Sequence, residues 1–187
     1  DSQSVITILI LVALLILSAF FSATETSFTS LNRTRLKAVA DQNKRAARAL
    51  KVSENYDKLL STILIGNNVV NILSASMATV LFVKYFPDIG VTLSTIVMTV
   101  LVLVFGEISP KSLAKESPEK FAMFSAPIIQ ALMVLLTPVN WLFMQWRKLL
   151  GKLFKGASAA SITEEELITM VEEAQIEGGI DAHESEL

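Results

Sequence analysis

The sequence has no cysteine and only one histidine, His183. The absence of cysteine excludes disulfide bonds and Cys-based zinc or redox chemistry, and a single histidine excludes a His-rich metal site. Any metal ion bound here must therefore be held by oxygen atoms, which suits hard cations such as Mg²⁺ and Ca²⁺. A positively charged segment before Val5 is also lacking, and the apolar run that follows is longer than that of an ordinary signal peptide. We therefore interpret this run as a membrane span.

Hydrophobic residues make up 52% of the 187 residues and are concentrated in blocks. The apolar segments cover residues 5–27, 59–83, 91–110 and 121–146. The first three are long enough to cross a membrane as helices, whereas Pro127 and Pro138 interrupt the fourth. The pattern predicts an all-α membrane domain over residues 1–156. Residues 157–187 form an acidic linker, in which a capping box over residues 161–164 predicts the start of a soluble helix.

The positions of the 16 Lys and Arg residues indicate which segments span. Eight lie in residues 33–58, three in 111–120, four in 147–155, and Lys84 stands alone. Basic loops favour the cytoplasmic side. If the chain has three spans, with its N-terminus outside and its C-terminus in the cytoplasm, 15 of the 16 Lys and Arg residues lie on the cytoplasmic side. Segment 121–146 is then a re-entrant or interfacial helical hairpin bent near Pro138. The alternative is an ordinary fourth span kinked by proline.

The basic segment 33–58 is expected to form a solvated helix at the membrane surface, attracted to anionic lipid. It has no interleaved aromatic residues and no nucleic-acid-binding motif, so a nucleic-acid partner has no support.

Polar residues inside the spans are energetically unfavourable and therefore candidates for function. Ser18 and Ser22 share one helix face because they are four residues apart, and the same holds for Asn67 and Asn71. Glu107 lies near the inner end of the third span. All five lie in the cytoplasmic half, so three packed helices would direct hydroxyl, amide and carboxylate oxygens towards one point. The alternative is that the Ser and Asn side chains only bond neighbouring helices, at about 0.6 kcal/mol each.

Pro110 adds a backbone ligand to this prediction. A proline cannot donate to the carbonyl four residues earlier, which here belongs to Gly106. A carbonyl freed in this way beside the Glu107 carboxylate is the arrangement by which broken membrane helices coordinate cations. Glu25 is either a ligand, a gate residue or an end-of-helix carboxylate that reaches the membrane interface.

Three motifs resemble those of the CorC/cyclin M (CNNM) family of magnesium transporters. They are LSAFFSA at 17–23 followed by Glu25-Thr26, LIGNNVVN at 64–71 and VFGEISPK at 104–111. Residues 177–181 resemble the link that precedes a cytosolic pair of CBS domains in this family. Animal relatives have Ser-Gly-Leu where this chain has Ser22-Ala23-Thr24, a departure shared with bacterial members.

The resemblance implies a homodimer in the plasma membrane, with three spans, an inner-leaflet hairpin and a juxtamembrane helix per protomer. It implies export of Mg²⁺, with Na⁺ as the exchanged ion and ATP bound only by the CBS domains. Carried over by motif position, the cation ligands are Ser18, Ser22, Asn67, Asn71, the Gly106 carbonyl and Glu107, with Glu25 and Pro110 at the gate and the helix break. The alternative is a membrane-anchored Mg²⁺ sensor that regulates another transporter. An enzyme is not expected, because the spans contain no Ser/His pair, no paired Asp and no zinc motif.

Overall fold

A computed structural model describes residues 2–153, and within this range the chain is helical throughout and has no strand. The elements are α1 (Ser2–Thr29), α2 (Arg33–Ala40), α3 (Lys44–Glu54), α4 (Tyr56–Tyr85), α5 (Gly90–Leu101), a π-helical segment (Val102–Ile108), α6 (Ser109–Glu116), α7 (Pro118–Leu135) and α8 (Thr137–Leu153). The predicted capping box and the rest of the acidic segment 157–187 lie outside the described residues.

Three helices are long and apolar enough to cross a membrane: Ser2–Thr29, Tyr56–Tyr85 and Gly90–Glu116. In the most apolar stretch of each, no more than 22% of the residues are buried inside the protein, so most of these apolar side chains face outward. An apolar surface of this kind suits a lipid environment. The predicted all-α membrane class with three spans is confirmed, although the third helix runs on to Glu116 where the sequence analysis ended it near Pro110.

The fourth apolar segment forms α7 and α8, which are separated by a break at Leu136. Pro138 lies in the first turn of α8. The N–H groups of a first turn have no partner within the helix, so a proline there costs no helical hydrogen bond. Pro127 lies inside α7. The bend therefore falls two residues before Pro138. By length and composition the pair could count as one broken span or as a re-entrant loop, so the hairpin stays a prediction.

Helix α8 also crosses the boundary between two compact units, which meet between Trp141 and Leu142. In the second unit, the described part of α8 exposes Leu142, Phe143 and Trp146. Exposed aromatic side chains of this kind are typical of the membrane–water interface.

The basic segment 33–58 forms two short helices rather than one. Asn32 caps α2 by accepting a hydrogen bond from the backbone N–H of Arg35, and Asn43 caps α3 in the same way. Helix α3 packs on α7, and the contact includes buried Ala46, Ala49, Ala122 and Ala126. These small side chains let the helix backbones approach closely. The main core therefore lies at the basic end of the domain.

The packing of α1 on α4 depends on Gly66. A Cβ atom at this position would lie 2.4 Å from Cζ of Phe21, a buried ring with little room to move. Only glycine therefore allows the two helices to approach this closely. The contact lies one residue before Asn67 and sets the register of α4 against the Ser18 face of α1.

Candidate cation site

Ser18 is the centre of the polar cluster. Its side chain is fully buried, and its Oγ lies 2.7 Å from Oδ1 of Asn71 and 3.3 Å from Oδ1 of Asn67. The two asparagines are one turn apart on α4 and both are half-buried. The structure thus brings together three of the predicted residues, with two amide oxygens directed at one hydroxyl. Asn68 is exposed and donates to the carbonyl of Leu64, so it lies outside the cluster.

Ser22 lies one turn further along α1 and is also fully buried. Its Oγ has no hydrogen-bond partner among the described residues. Its neighbours Thr24 and Ser27 donate to the carbonyls of Phe20 and Ala23, at 2.7 and 2.8 Å. A buried hydroxyl without a partner is unfavourable by about 1–3 kcal/mol, and it suggests a ligand in the functional state. The sequence indicated Ser22 by its spacing from Ser18 and by its position in the motif at 17–23.

Gly106 brings the third span against the same serine. A Cβ atom on Gly106 would lie 2.8 Å from the Ser18 Oγ and 3.4 Å from the Ser18 Cβ. This distance is too short for any residue with a side chain, so the backbone of the third span touches the cluster directly. All three spans therefore meet at Ser18.

The backbone around Gly106 is π-helical, which the sequence analysis did not predict. The N–H of Ser109 donates to the carbonyl of Val104, five residues earlier. In this π-helical pattern the N–H of residue 110 would donate to the carbonyl of Phe105, and in an α-helix it would donate to the carbonyl of Gly106. Pro110 has no N–H, so it donates to neither. A single π-helical turn often marks a functional site. The feature of the sequence that could have indicated this turn is Gly106 four residues before Pro110. The turn also explains why the helix continues beyond the proline.

Glu107 follows Gly106 in the π-helical segment and is half-buried. Within residues 2–153 its carboxylate forms no ion pair and no hydrogen bond. A carboxylate in a membrane helix needs a cation, a proton or a basic partner. Glu107 is therefore an unpartnered charged group among the described residues, one residue along the chain from Gly106, which contacts Ser18.

Glu25 has a partner that the sequence analysis missed. Its Oε2 lies 3.2 Å from the Nζ of Lys111, and both side chains are partly exposed. This ion pair joins the end of α1 to α6, immediately after Pro110. Exposed ion pairs of this kind contribute about 0–1 kcal/mol to stability. The main effect of this pair is therefore to compensate the negative charge of Glu25, whereas Glu107 has no ion pair within residues 2–153.

The cluster is rich in neutral oxygens and poor in acids. Among the residues that the structure describes, no three His, Asp or Glu side chains come together. The available ligands are serine hydroxyls, asparagine amides, backbone carbonyls and one carboxylate, all of which are hard oxygen donors.

Comparison with known proteins identifies the family of the chain. The family described as the cyclin M transmembrane N-terminal domain matches residues 9–184. The Escherichia coli UPF0053 inner membrane protein YfjD is 37% identical over 164 residues, which cover 85% of this chain and 38% of that protein. A Haemophilus influenzae UPF0053 protein is 40% identical over 170 residues, covering 89% of this chain and 40% of the relative.

A more distant relative carries a more specific name. The polyamine export protein of Escherichia coli is 26% identical over 196 residues, covering 96% of this chain and 44% of that protein. The chain thus spans about two fifths of the length of these relatives. The match extends over nearly the whole sequence and includes all three spans, so the chain belongs to the cyclin M transmembrane domain family.

Proposed function

We propose that this chain is the membrane domain of a Mg²⁺ exporter that exchanges Mg²⁺ for Na⁺. The observation that carries the proposal is the meeting of three spans at Ser18, with two amide oxygens directed at it. The buried, unpartnered hydroxyl of Ser22 and the unpaired carboxylate of Glu107 complete an oxygen-only ligand set. Such donors replace the water shell of a hard divalent cation.

In this proposal each candidate residue has a separate role. The Glu107 carboxylate supplies the negative charge, and the side chains of Ser18, Ser22, Asn67 and Asn71 supply neutral oxygens. The Gly106 carbonyl is the proposed backbone ligand, because in an α-helical register it would depend on the N–H that Pro110 lacks. A bound cation displaces the hydrogen bond between Ser18 and Asn71 and takes both of their oxygens.

Polyamine export is the second candidate, because one relative is named for it. A polyamine carries its charges on separate ammonium groups, several bonds apart, so it needs acidic partners at separate positions along its path. Glu116 is exposed at the very end of the third span and Glu25 is already paired with Lys111, so Glu107 is the unpaired carboxylate further inside the described spans. A second ammonium group would thus be desolvated without a counter-charge, which is strongly unfavourable. A divalent ion places both charges at one point beside Glu107.

We further propose that the ion pair between Glu25 and Lys111 closes the cytoplasmic side of the site. Replacing Lys111 with Met frees the Glu25 carboxylate as an additional cation ligand. We expect Mg²⁺ to bind about fivefold more tightly, since an exposed pair is worth up to ~1 kcal/mol. Binding is measured by isothermal titration calorimetry of the purified protein. Turnover falls because the cation is released more slowly.

The matched control is Lys115→Met, a change to an exposed lysine in the same helix. It should leave both affinity and turnover unchanged, and the pair Glu25→Gln with Lys111→Met should restore wild-type affinity. Unchanged binding in Lys111→Met would show that the ion pair has no role in access to the site.

The proposed arrangement is a homodimer in the inner (plasma) membrane, with the N-terminus outside and the basic segment 33–58 in the cytoplasm. This orientation follows from the distribution of Lys and Arg. The segment after residue 156 then leads into a cytosolic CBS pair, where ATP would bind.

Reconstitution tests the function. The purified chain in proteoliposomes should move Mg²⁺, reported by a trapped Mg²⁺-sensitive dye, and an opposing Na⁺ gradient should increase the rate. Radiolabelled spermidine should not be transported. Mg²⁺ binding without flux would support a sensor instead, and spermidine flux without Mg²⁺ flux would support polyamine export.

A further inference from the structure

A groove of about 310 Å³ lies between α4 and the helix formed by α5 and the π-helical segment. One of its walls includes Asn71, whose Oδ1 accepts the hydrogen bond of Ser18. The groove is therefore continuous with the candidate cation site. It does not involve the pair Glu25–Lys111, which lies at the other end of α1 from the join between α4 and α5.

The groove follows one face of α4. Asn71, Ala75 and Thr79 all line it, and they are spaced by four residues, so they extend over about 12 Å of helix. The direction is from the cation site towards the end of α4 at Tyr85, which the charge distribution places on the outer side. The groove thus runs from the site towards the membrane face opposite the basic segment.

Four hydroxyl groups lie along this otherwise mostly apolar groove. Thr79 comes from α4, and Ser94, Thr95 and Thr99 come from α5. Polar side chains are unfavourable in spans of this composition unless they have a partner or a function. A row of hydroxyls offers a cation successive oxygens in place of water, with no charge to hold it tightly. This is the chemistry of a path rather than of a strong binding site.

Thr79 and Ser94 meet across the groove, with their Oγ1 and Oγ atoms 3.0 Å apart. Each hydroxyl is also within 2.9 Å of a carbonyl in its own helix, that of Ala75 for Thr79 and that of Val91 for Ser94. A hydroxyl has one hydrogen but two lone pairs. When both hydrogens go to the carbonyls, both oxygens present lone pairs to the gap. The pair can therefore close the gap by a hydrogen bond or accept a cation.

Beyond this pair the two helices are in backbone contact. A Cβ atom on Gly90 would lie 2.7 Å from the backbone N and Cα of Val83. The helices cannot come closer here, and the narrow end of the groove is fixed by this contact. The hydroxyl pair Thr79–Ser94 is thus the adjustable part of the outer half.

We propose that this groove is the outward path of the divalent cation, and that the pair Thr79–Ser94 is its constriction. The inference rests on the proposed transport function and adds the route and the residues that control release. The cation leaves the Ser18 cluster past Asn71, follows α4 and α5 to the Thr79–Ser94 pair, and leaves the groove there, before the Val83–Gly90 contact.

The first test removes the constriction's oxygens with the double variant Thr79→Val and Ser94→Ala. Mg²⁺ flux in proteoliposomes should fall about tenfold, in the range expected for lost hydrogen bonds to a charged group. Mg²⁺ affinity, measured by calorimetry, should stay unchanged because the Ser18 cluster is intact. The control is Thr7→Val, which removes another hydroxyl bonded to its own helix. Wild-type flux in the double variant, or loss of Mg²⁺ binding, would overturn the proposal.

The second test uses the absence of cysteine from the chain. Ala75→Cys places the only thiol in the groove, and Ile72→Cys places it on the outward face of α4, where the side chain is 65% exposed to the surroundings. Only a thiol in contact with water ionises and reacts readily. A membrane-impermeant thiosulfonate, applied to the outer side of right-side-out vesicles, should modify Ala75→Cys and block Mg²⁺ flux. Ile72→Cys should be unaffected.

Equal modification of both variants, or full flux after modification of Ala75→Cys, would refute the path. These failures differ from failure of the transport function itself. If wild-type protein moves no Mg²⁺, the proposed function is wrong. If wild type transports and the modified groove has no effect, only the route is wrong.

Discussion

Replacing Glu107 with Gln is expected to abolish Mg²⁺ transport while the fold remains intact. The carboxylate is the unpaired negative charge beside the Ser18 cluster in the described spans, so the change removes the charge but keeps the size of the side chain. Loss of a desolvated charge contact costs about 2–5 kcal/mol, which corresponds to roughly 30-fold to several-thousand-fold in rate. Flux of reconstituted protein, with the Mg²⁺ affinity from calorimetry, measures the effect.

The same substitution should not change stability appreciably, because the Glu107 carboxylate forms no hydrogen bond or ion pair within the described residues. The thermal unfolding temperature in detergent checks this expectation. The matched control is Glu116→Gln, which neutralises an exposed glutamate at the end of the same long helix. An equal loss of flux in the control, or wild-type flux in Glu107→Gln, would remove Glu107 from the site.

Replacing Gly106 with Ala should have the second largest effect. The added Cβ would lie 2.8 Å from the Ser18 Oγ, so either the Ser18 hydroxyl must rotate away from its asparagine partners or the third span must move away from α1. Overpacking of this kind destabilises by about 1–3 kcal/mol. We expect a lower unfolding temperature and a loss of Mg²⁺ flux of about tenfold or more, because ligand oxygens are displaced by fractions of an ångström.

Two further variants separate packing from ligation. Gly151→Ala adds a methyl group inside α8 that meets no packed neighbour within 4 Å, so it should not lower stability and should leave flux unchanged. Ser18→Ala combined with Gly106→Ala removes the clashing oxygen and leaves a Cβ distance of 3.4 Å, which is tight but tolerable. Stability should largely recover in this double variant, but transport should not, because a ligand is missing. Wild-type flux in Gly106→Ala alone would show that the helices do not need this close contact.

The spans and the main polar cluster could be predicted because both depend on simple periodicity. Apolar runs of sufficient length indicate spans, and side chains four residues apart share a helix face. This reasoning placed Asn67 and Asn71 on the same helix face. In the structure the Oδ1 atoms of both lie close to the Ser18 Oγ. The convergence of the three spans was predicted because their polar residues lie at similar depths in the membrane.

Other features depend on geometry that no single-residue pattern contains. The π-helical turn arises because Pro110 removes a donor while the helix continues to Glu116, and the sequence alone suggested that the span would end there. The ion pair between Glu25 and Lys111 joins residues far apart in the chain. The missing partner of Ser22 is visible only once its neighbours are in place. The sequence analysis expected the bend near Pro138, and the structure has the break two residues earlier, at Leu136, because Pro138 lies in the first turn of α8.

The most direct test of the account is an experimental structure of the transport-competent protein saturated with Mg²⁺ in a lipid bilayer. The account predicts an ion between α1, α4 and the π-helical segment, held by Ser18, Ser22, an asparagine oxygen and Glu107. Its distances to oxygen should be about 2.1 Å, as Mg²⁺ requires. The hydrogen bond between Ser18 and Asn71 should be broken. An intact Ser18–Asn71 hydrogen bond, with the bound Mg²⁺ located elsewhere in the protein, would contradict the account.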